Sequence, residues 1–260
     1  MSFREFNPAH LARFNSSASC EFLSAYETHV DAQILAEASQ PSHRTFAPSQ
    51  FRCDRRSWFR IRGVQPDVPK VPDRETDFAA KLGTACHRIL QTAIADMLGD
   101  DWISLDRWFA LSPPKYEYTL TPAEDSLETF VEIINPPIRF ACDGIIRWMG
   151  KYYLLEIKSH DFAVWNQLTD PRAEHIDQVT CYATELGLDG VLFLYIDRQF
   201  GNIKCYEYTV PEYDKASIVH RMAKVMQAVE DNLAPEGLPK GDKYCTPTYC
   251  PYYQKCKEYS

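Results

Sequence analysis

The sequence predicts an α/β domain built on a mixed β-sheet flanked by helices. Residues 128–158 hold three extended runs rich in aromatic and β-branched side chains, with turn signals at Asn135-Pro136-Pro137 and Met149-Gly150. Residues 191–196 and 203–210 form a second hairpin around Phe200-Gly201-Asn202. Helical patterns precede, separate and follow these strands, at 77–98, 174–186 and 214–232. Sheets buried under helices in that order give a layered α/β fold.

In chain order, residues 3–38 read as helix, with apolar residues at mixed spacings of three and four. Residues 40–44, Gln-Pro-Ser-His-Arg, form a linker. Ser49 is placed to cap a helix through Arg62. Residues 66–72 carry three prolines and form a loop. The helix at 77–98 is amphipathic and ends at Gly99-Asp100-Asp101. A mixed segment follows, broken by Ser112-Pro113-Pro114. From Pro235 the chain is loop-like and cysteine-rich. The expected organisation is a helical extension at 1–45, a core at 46–234 and a cysteine-rich segment at 235–260.

The chain has 260 residues, 45% hydrophobic and 13% aromatic, which is enough for a sizeable core. No run of 18 apolar residues occurs, and residues 1–8 have no apolar signal core, so the expected location is cytoplasmic, with no membrane contact. Nine cysteines without a secretion signal argue against a disulfide framework. The net charge of −8 argues against nonspecific duplex binding by the whole surface. Locally, Arg52, Arg55, Arg56, Arg60 and Arg62 crowd around Trp58 and Phe59. Arginines for phosphate and aromatics for base stacking suit a single strand. A solvated helix face over two core aromatics gives the same pattern.

The first hairpin carries the chemistry. If its turn is centred on Met149-Gly150, Arg147 faces Tyr152 and Asp143 faces Glu156. Opposed side chains have Cβ atoms about 5 Å apart, and like charges so placed repel. Two carboxylates there imply a cation between them. Lys158, two residues beyond Glu156, points to the same face. Two carboxylates and a lysine can hold a divalent metal and position a hydroxide for attack on a phosphodiester.

Upstream lies Gly83-Thr-Ala-Cys-His87 in the predicted helix, and downstream lies Gln178-Val-Thr-Cys-Tyr182. The ordered set of His87, Asp143, Glu156-Ile157-Lys158, Gln178 and Tyr182 resembles the RecB-like branch of the PD-(D/E)XK nuclease superfamily, over residues 49–256. The resemblance implies a restriction-endonuclease-like core and a metal-dependent DNA nuclease, an exonuclease on single strands or DNA ends. It implies Mg2+ or Mn2+ held by His87, Asp143, Glu156 and the carbonyl of Ile157. Lys158 would orient the attacking water, and Gln178 and Tyr182 would lie near the DNA. Imidazole favours manganese over magnesium. The ordinary alternatives are a buried helix histidine, a Lys158–Glu156 ion pair, and a helix surface with a packed tyrosine. His175 shares the helical face of Gln178, and its role is open.

Cys245, Cys250 and Cys256 crowd the C-terminal segment, and three such cysteines suggest a metal that needs a fourth ligand. With Cys53 they resemble the iron–sulfur RecB-like nucleases, which include AddB-type and CRISPR-adaptation nucleases. There one cysteine before the core and three after it bind a [4Fe–4S] cluster, which here would join the N-terminal and C-terminal segments. Four residues separate Cys245 from Cys250, where two is usual in that group. Zinc is the alternative. Cys20, Cys86, Cys142, Cys181 and Cys205 fall in helical or strand patterns and read as core. No Gly-x-x-x-x-Gly-Lys phosphate loop occurs, so the chain carries no helicase motor. Its expected partners are DNA and a separate helicase, recombinase or CRISPR-adaptation protein. The rival reading is a non-catalytic cysteine-metal module that holds DNA ends or a partner protein.

Overall fold

A computed structural model describes residues 17–39, 43–67, 71–123, 127–239 and 241–259. Residues 3–16 of the predicted helical extension, 40–42 of the linker and 68–70 of the proline loop lie outside them. The chain divides into two compact units: Met1–Pro41 with Pro69–Ala80, and Ser42–Val68 with Lys81–Ser260. In the smaller unit, helix α1 (Ser17–Ala38) is exposed along most of its length. Arg74 reaches Glu27 at 2.6 Å and Asp31 at 2.9 Å.

The larger unit holds two sheets. Strands β1 (Trp102–Ile103), β5 (Gly144–Trp148), β6 (Lys151–His160), β7 (Gly190–Asp197) and β8 (Ile203–Thr209) form one, in the order β1-β5-β6-β7-β8. It is mixed: β6 and β7 run parallel and the other neighbours antiparallel. Strands β2 (Tyr118–Pro122), β3 (Thr129–Ile133) and β4 (Ile138–Cys142) form an antiparallel sheet of three. Helices α2 (Asp54–Ile61), α3 (Arg74–Leu98), α4 (Leu105–Leu111), α5 (Phe162–Gln167), α6 (Ala173–Leu186), α7 (Glu212–Glu230) and α8 (Tyr253–Lys257) complete the fold. The predicted fold class, a mixed sheet flanked by helices, is the one observed.

The turn between β5 and β6 has Met149 at φ 50° and Gly150 at φ 80°. Two successive left-handed residues make the two-residue hairpin turn whose twist matches its strands. Arg147 therefore pairs with Tyr152 as expected, and the ladder runs back to Gly144 opposite Leu155. It stops there, one pair short of Asp143 and Glu156. The middle run of the three predicted strands is broken at Asp143: β4 before it joins the small sheet and β5 after it joins the large one. A backbone that changes sheets cannot keep pairing through the bend.

Other boundaries also differ from expectation. Instead of one helix capped by Ser49, a short turn at Pro48–Gln50 precedes α2, and Cys53 takes the N-cap position. Strands β1 and β2 and helices α4, α5 and α8 escaped the sequence reading. Ser104 and Asp161 cap α4 and α5 by accepting from the amides of Arg107 and Val164.

The arginine-rich segment is not a stacking platform. Trp58 and Phe59 are fully buried. Phe59 stacks on Tyr252 with ring centroids 5.1 Å apart, both aromatics pack on Tyr259, and the Trp58 indole donates to the Ala228 carbonyl. The arginines hold the chain's other segments. Arg55 donates to the Pro235 carbonyl, Arg56 to that of Tyr249 and Arg60 to that of Thr45. Arg52 pairs with Asp177 at 2.9 Å, and Arg62 lies over the Trp58 ring. Of the cysteines read as core, Cys142 and Cys181 are buried and Cys86 is partly buried, but Cys20 and Cys205 are exposed. Cys205 alternates outward on β8, the sheet's last strand, and α1 presents Cys20 to solvent. No helix among the described residues is long and apolar enough to cross a membrane.

Trp58→Ala is expected to lower stability by about 3–5 kcal/mol, as for other aromatic-to-alanine changes in a core. Urea denaturation measures this; unchanged stability would return Trp58 to the surface.

Candidate active site

Strand β6 alternates, so Glu156, Lys158 and His160 share one face. Helix α6 lays His175, Gln178 and Tyr182 over that face. Lys158 Nζ sits 2.5 Å from Glu156 Oε1 and donates to Gln178 Oε1 at 3.2 Å. Gln178 Nε2 donates to the Tyr182 hydroxyl at 2.7 Å. Tyr182 is buried and stacks on Phe140 at 4.9 Å. Further along, the rings of His160 and His175 stack at 5.9 Å, and His175 Nδ1 lies 2.9 Å from the Tyr195 hydroxyl. His175 is thus part of a partly buried ring stack beside the site.

Asp143 comes to this face from the bend. Its Oδ2 accepts the Ile157 amide at 2.5 Å, which ties the bend to the middle of β6. Helix α3 secures it from the other side with three positions spaced by four, Gly83, His87 and Gln91. His87 Nδ1 lies 2.9 Å from Asp143 Oδ1. The fully buried Gln91 donates from Nε2 to the Asp143 carbonyl at 2.8 Å. Gly83 faces Ser159, where an added methyl would stand 2.9 Å from the hydroxyl. The glycine therefore lets α3 lie close against β6.

Glu128, just before β3, also reaches the site: its Oε1 is 4.0 Å from His87 Nδ1. His87, Glu128 and Asp143 offer ligand atoms all within 4.8 Å of one another, and they are the one such group of three or more among the described residues. The sequence reading missed Glu128 and Gln91. Gln91 could have been found, since it follows His87 by one helical step. Glu128 could not, because its approach depends on how β3 pairs with β4.

The electrostatics follow from burial. Burial raises the Glu156 pKa, and the charge of Asp143 adds to the effect against Lys158. Burial works to lower that of Lys158, but Glu156 and Asp143 outweigh it and hold the ammonium above its ordinary range. His87 is likewise opposed by burial and raised by Asp143. Glu128 is raised by burial and then by Asp143. At the other end, burial and the Lys158 charge push His175 down to about 3, and burial with Arg172 lowers His160. Burial and neighbouring cations thus disfavour the charged imidazole at the His160–His175 end of the site.

Cys53, Cys245, Cys250 and Cys256 line one pocket of about 90 Å³, with Phe51, Phe59 and Tyr252 among its other walls. Arg55 Nη1 stands 3.5 Å from Cys256 Sγ. No three of these sulfurs lie within 4.8 Å of one another.

No protein-family model matches this sequence, and no curated protein matches it. Several solved structures resemble it distantly, among them the following three. The crystal structure of SSO0001 is 18% identical, over 88% of this chain and 94% of that one, with a TM-score of 0.47. An alkaline exonuclease (LHK-Exo) from Laribacter hongkongensis is 14% identical, over 76% and 93%, with a TM-score of 0.39. LHK-Exo in complex with dAMP is 16% identical, over 50% and 64%, with a TM-score of 0.34.

Gln91→Ala would leave the Asp143 carbonyl unpaired in a buried place, which costs about 1–3 kcal/mol. Thermal denaturation should show that loss together with a weaker stabilisation by manganese. An unchanged manganese response would mean that Gln91 does not position Asp143.

Proposed function

We propose that this chain is a metal-dependent deoxyribonuclease of the PD-(D/E)XK type, acting on single strands or DNA ends. The observation that carries this is the meeting of a buried Glu156–Lys158 pair with His87, Glu128 and Asp143 on one face. Three carboxylates and an imidazole form a hard donor set suited to Mg2+ or Mn2+. His87, Glu128 and Asp143 would hold the cation, with Glu156 and the Ile157 carbonyl beside them. A bound divalent cation supplies Lewis-acid stabilisation of phosphate charge. Lys158 places an ammonium where charge develops on the phosphate, and Gln178, itself held by Tyr182, fixes its direction. Gln178 and Tyr182 thus act through Lys158. A non-catalytic module holding DNA ends gives no reason for a lysine buried on a glutamate beside three more ligand groups.

The test is cleavage of end-labelled single strands with manganese, magnesium or chelator, the label also reporting polarity. Lys158→Ala would leave Glu156 buried and unpaired, so Lys158→Gln, which keeps a donor, is the cleaner variant. It should fold and bind DNA but cleave about 10²–10³ times more slowly. Cleavage near the native rate would remove Lys158 from the mechanism.

The four-cysteine pocket supports a [4Fe–4S] cluster. Four cysteines lining one pocket with apolar walls fit such a cluster, with zinc as the alternative. DNA and a separate helicase, recombinase or CRISPR-adaptation protein remain the proposed partners. Purified without oxygen, the protein should be brown and bleach on reduction, and each of Cys53, Cys245, Cys250 and Cys256 should be needed for the colour. Exposed Cys20 and Cys205 should not. A colourless protein with one bound zinc would refute the cluster and leave the nuclease assignment intact.

A further inference from the structure

A second cavity, of about 550 Å³, lies between α7, the C-terminal end of α6 and the segment at 112–116. Its volume is that of an ordinary ligand pocket. Val219, Met222, Ala223 and Met226 supply one wall at spacings of three and four, a single apolar face of α7. Within the lining stands Glu185. Among the described residues nothing hydrogen-bonds its carboxylate or forms an ion pair with it, and Lys115 acts on it only at longer range. Burial raises its pKa to about 7. Glu185 is partly buried and shares the lining with Ser112, Lys115 and Asn135, so its carboxylate is the unpaired acidic point of a groove whose α7 wall is apolar. The cavity opens to solvent: Tyr116 and Val219, both in its wall, are 46% and 48% exposed. A polypeptide laid across the opening would cover these apolar flanks.

We infer that this cavity is a docking site for a partner protein, which inserts an arginine or lysine flanked by apolar side chains and pairs it with Glu185. Opposite charge selects the cation, the α7 face takes the aliphatic stem, and Tyr116 and Val219 take the neighbouring apolar residues. The site does not depend on the nuclease assignment, since none of its residues belongs to the cation-holding face.

Methionine-methyl NMR tests it, because the sequence has only five methionines. Met222 and Met226 line the cavity, while Met97 and Met149 are exposed elsewhere. The probes are acetyl-Leu-Arg-Leu-amide, acetyl-Leu-Gln-Leu-amide and n-hexylammonium. The arginine peptide should shift Met222 and Met226 saturably, leave Met97 and Met149 still, and bind about tenfold more tightly than the glutamine peptide, as a hydrogen-bonded charge should. Glu185→Gln, of the same shape and without the buried charge, should erase that preference and leave DNA cleavage unchanged. No saturable shift, or equal binding of the two peptides, overturns the site. Binding of n-hexylammonium without binding of the arginine peptide overturns the partner and leaves a small-amine pocket. If Glu185→Gln does not fold, raising the salt concentration on the native protein gives the same reading: the preference for arginine must fall.

Discussion

One hydrogen bond organises this molecule: the Ile157 amide donating to the Asp143 carboxylate at 2.5 Å. Asp143 sits where the chain leaves one sheet for another, and without a partner the bend would be a break in backbone pairing. The interaction joins the end of the small sheet to the middle of β6. It also fixes one carboxylate oxygen, which leaves the other for His87. The constraint that closes the fold thus orients the group on which the proposed chemistry rests.

From that point the site extends as a row of matched side chains on β6 and α6. Lys158 meets Gln178, and His160 meets His175. Glu156 lies near enough to Tyr182 for its charge to help hold the phenol protonated, after burial. Each partner on the helix is fixed by another contact: Gln178 by Tyr182, Tyr182 by Phe140 and His175 by Tyr195. Side chains held from two sides keep their geometry without a ligand, as preorganised electrostatic catalysis requires.

The sequence made the hairpin readable because its turn must have two left-handed residues, and a residue followed by glycine between apolar runs announces that. It made Glu156, Lys158, Gln178 and Tyr182 readable because strand and helix periods put them on shared faces. His87 was visible through its spacing from Gly83, and the structure supplies the reason, a close approach of α3 to Ser159. Asp143's position at a bend was not read, although Asp143-Gly144 is itself a turn signal, because the apolar residues on either side continue the strand pattern through it. Glu128 was hidden because only tertiary pairing brings it in. The arginine segment misled because phosphate binding and tail anchoring use the same side chain. Burial of Trp58 and Phe59 decides between them, and burial is not written in composition.

The anchoring of the tail by α2 bears on how the chain is made. Arg55 and Cys256 are 201 residues apart in sequence yet touch in the folded protein. At about 5–20 residues per second, roughly 10–40 s of synthesis separates them. Through that interval Trp58 and Phe59 exist without Tyr252 and Tyr259, and Cys53 exists without the three later cysteines. The larger unit can therefore close only after its last segment has been made. Its first-made helix is thus among the last parts to be buried.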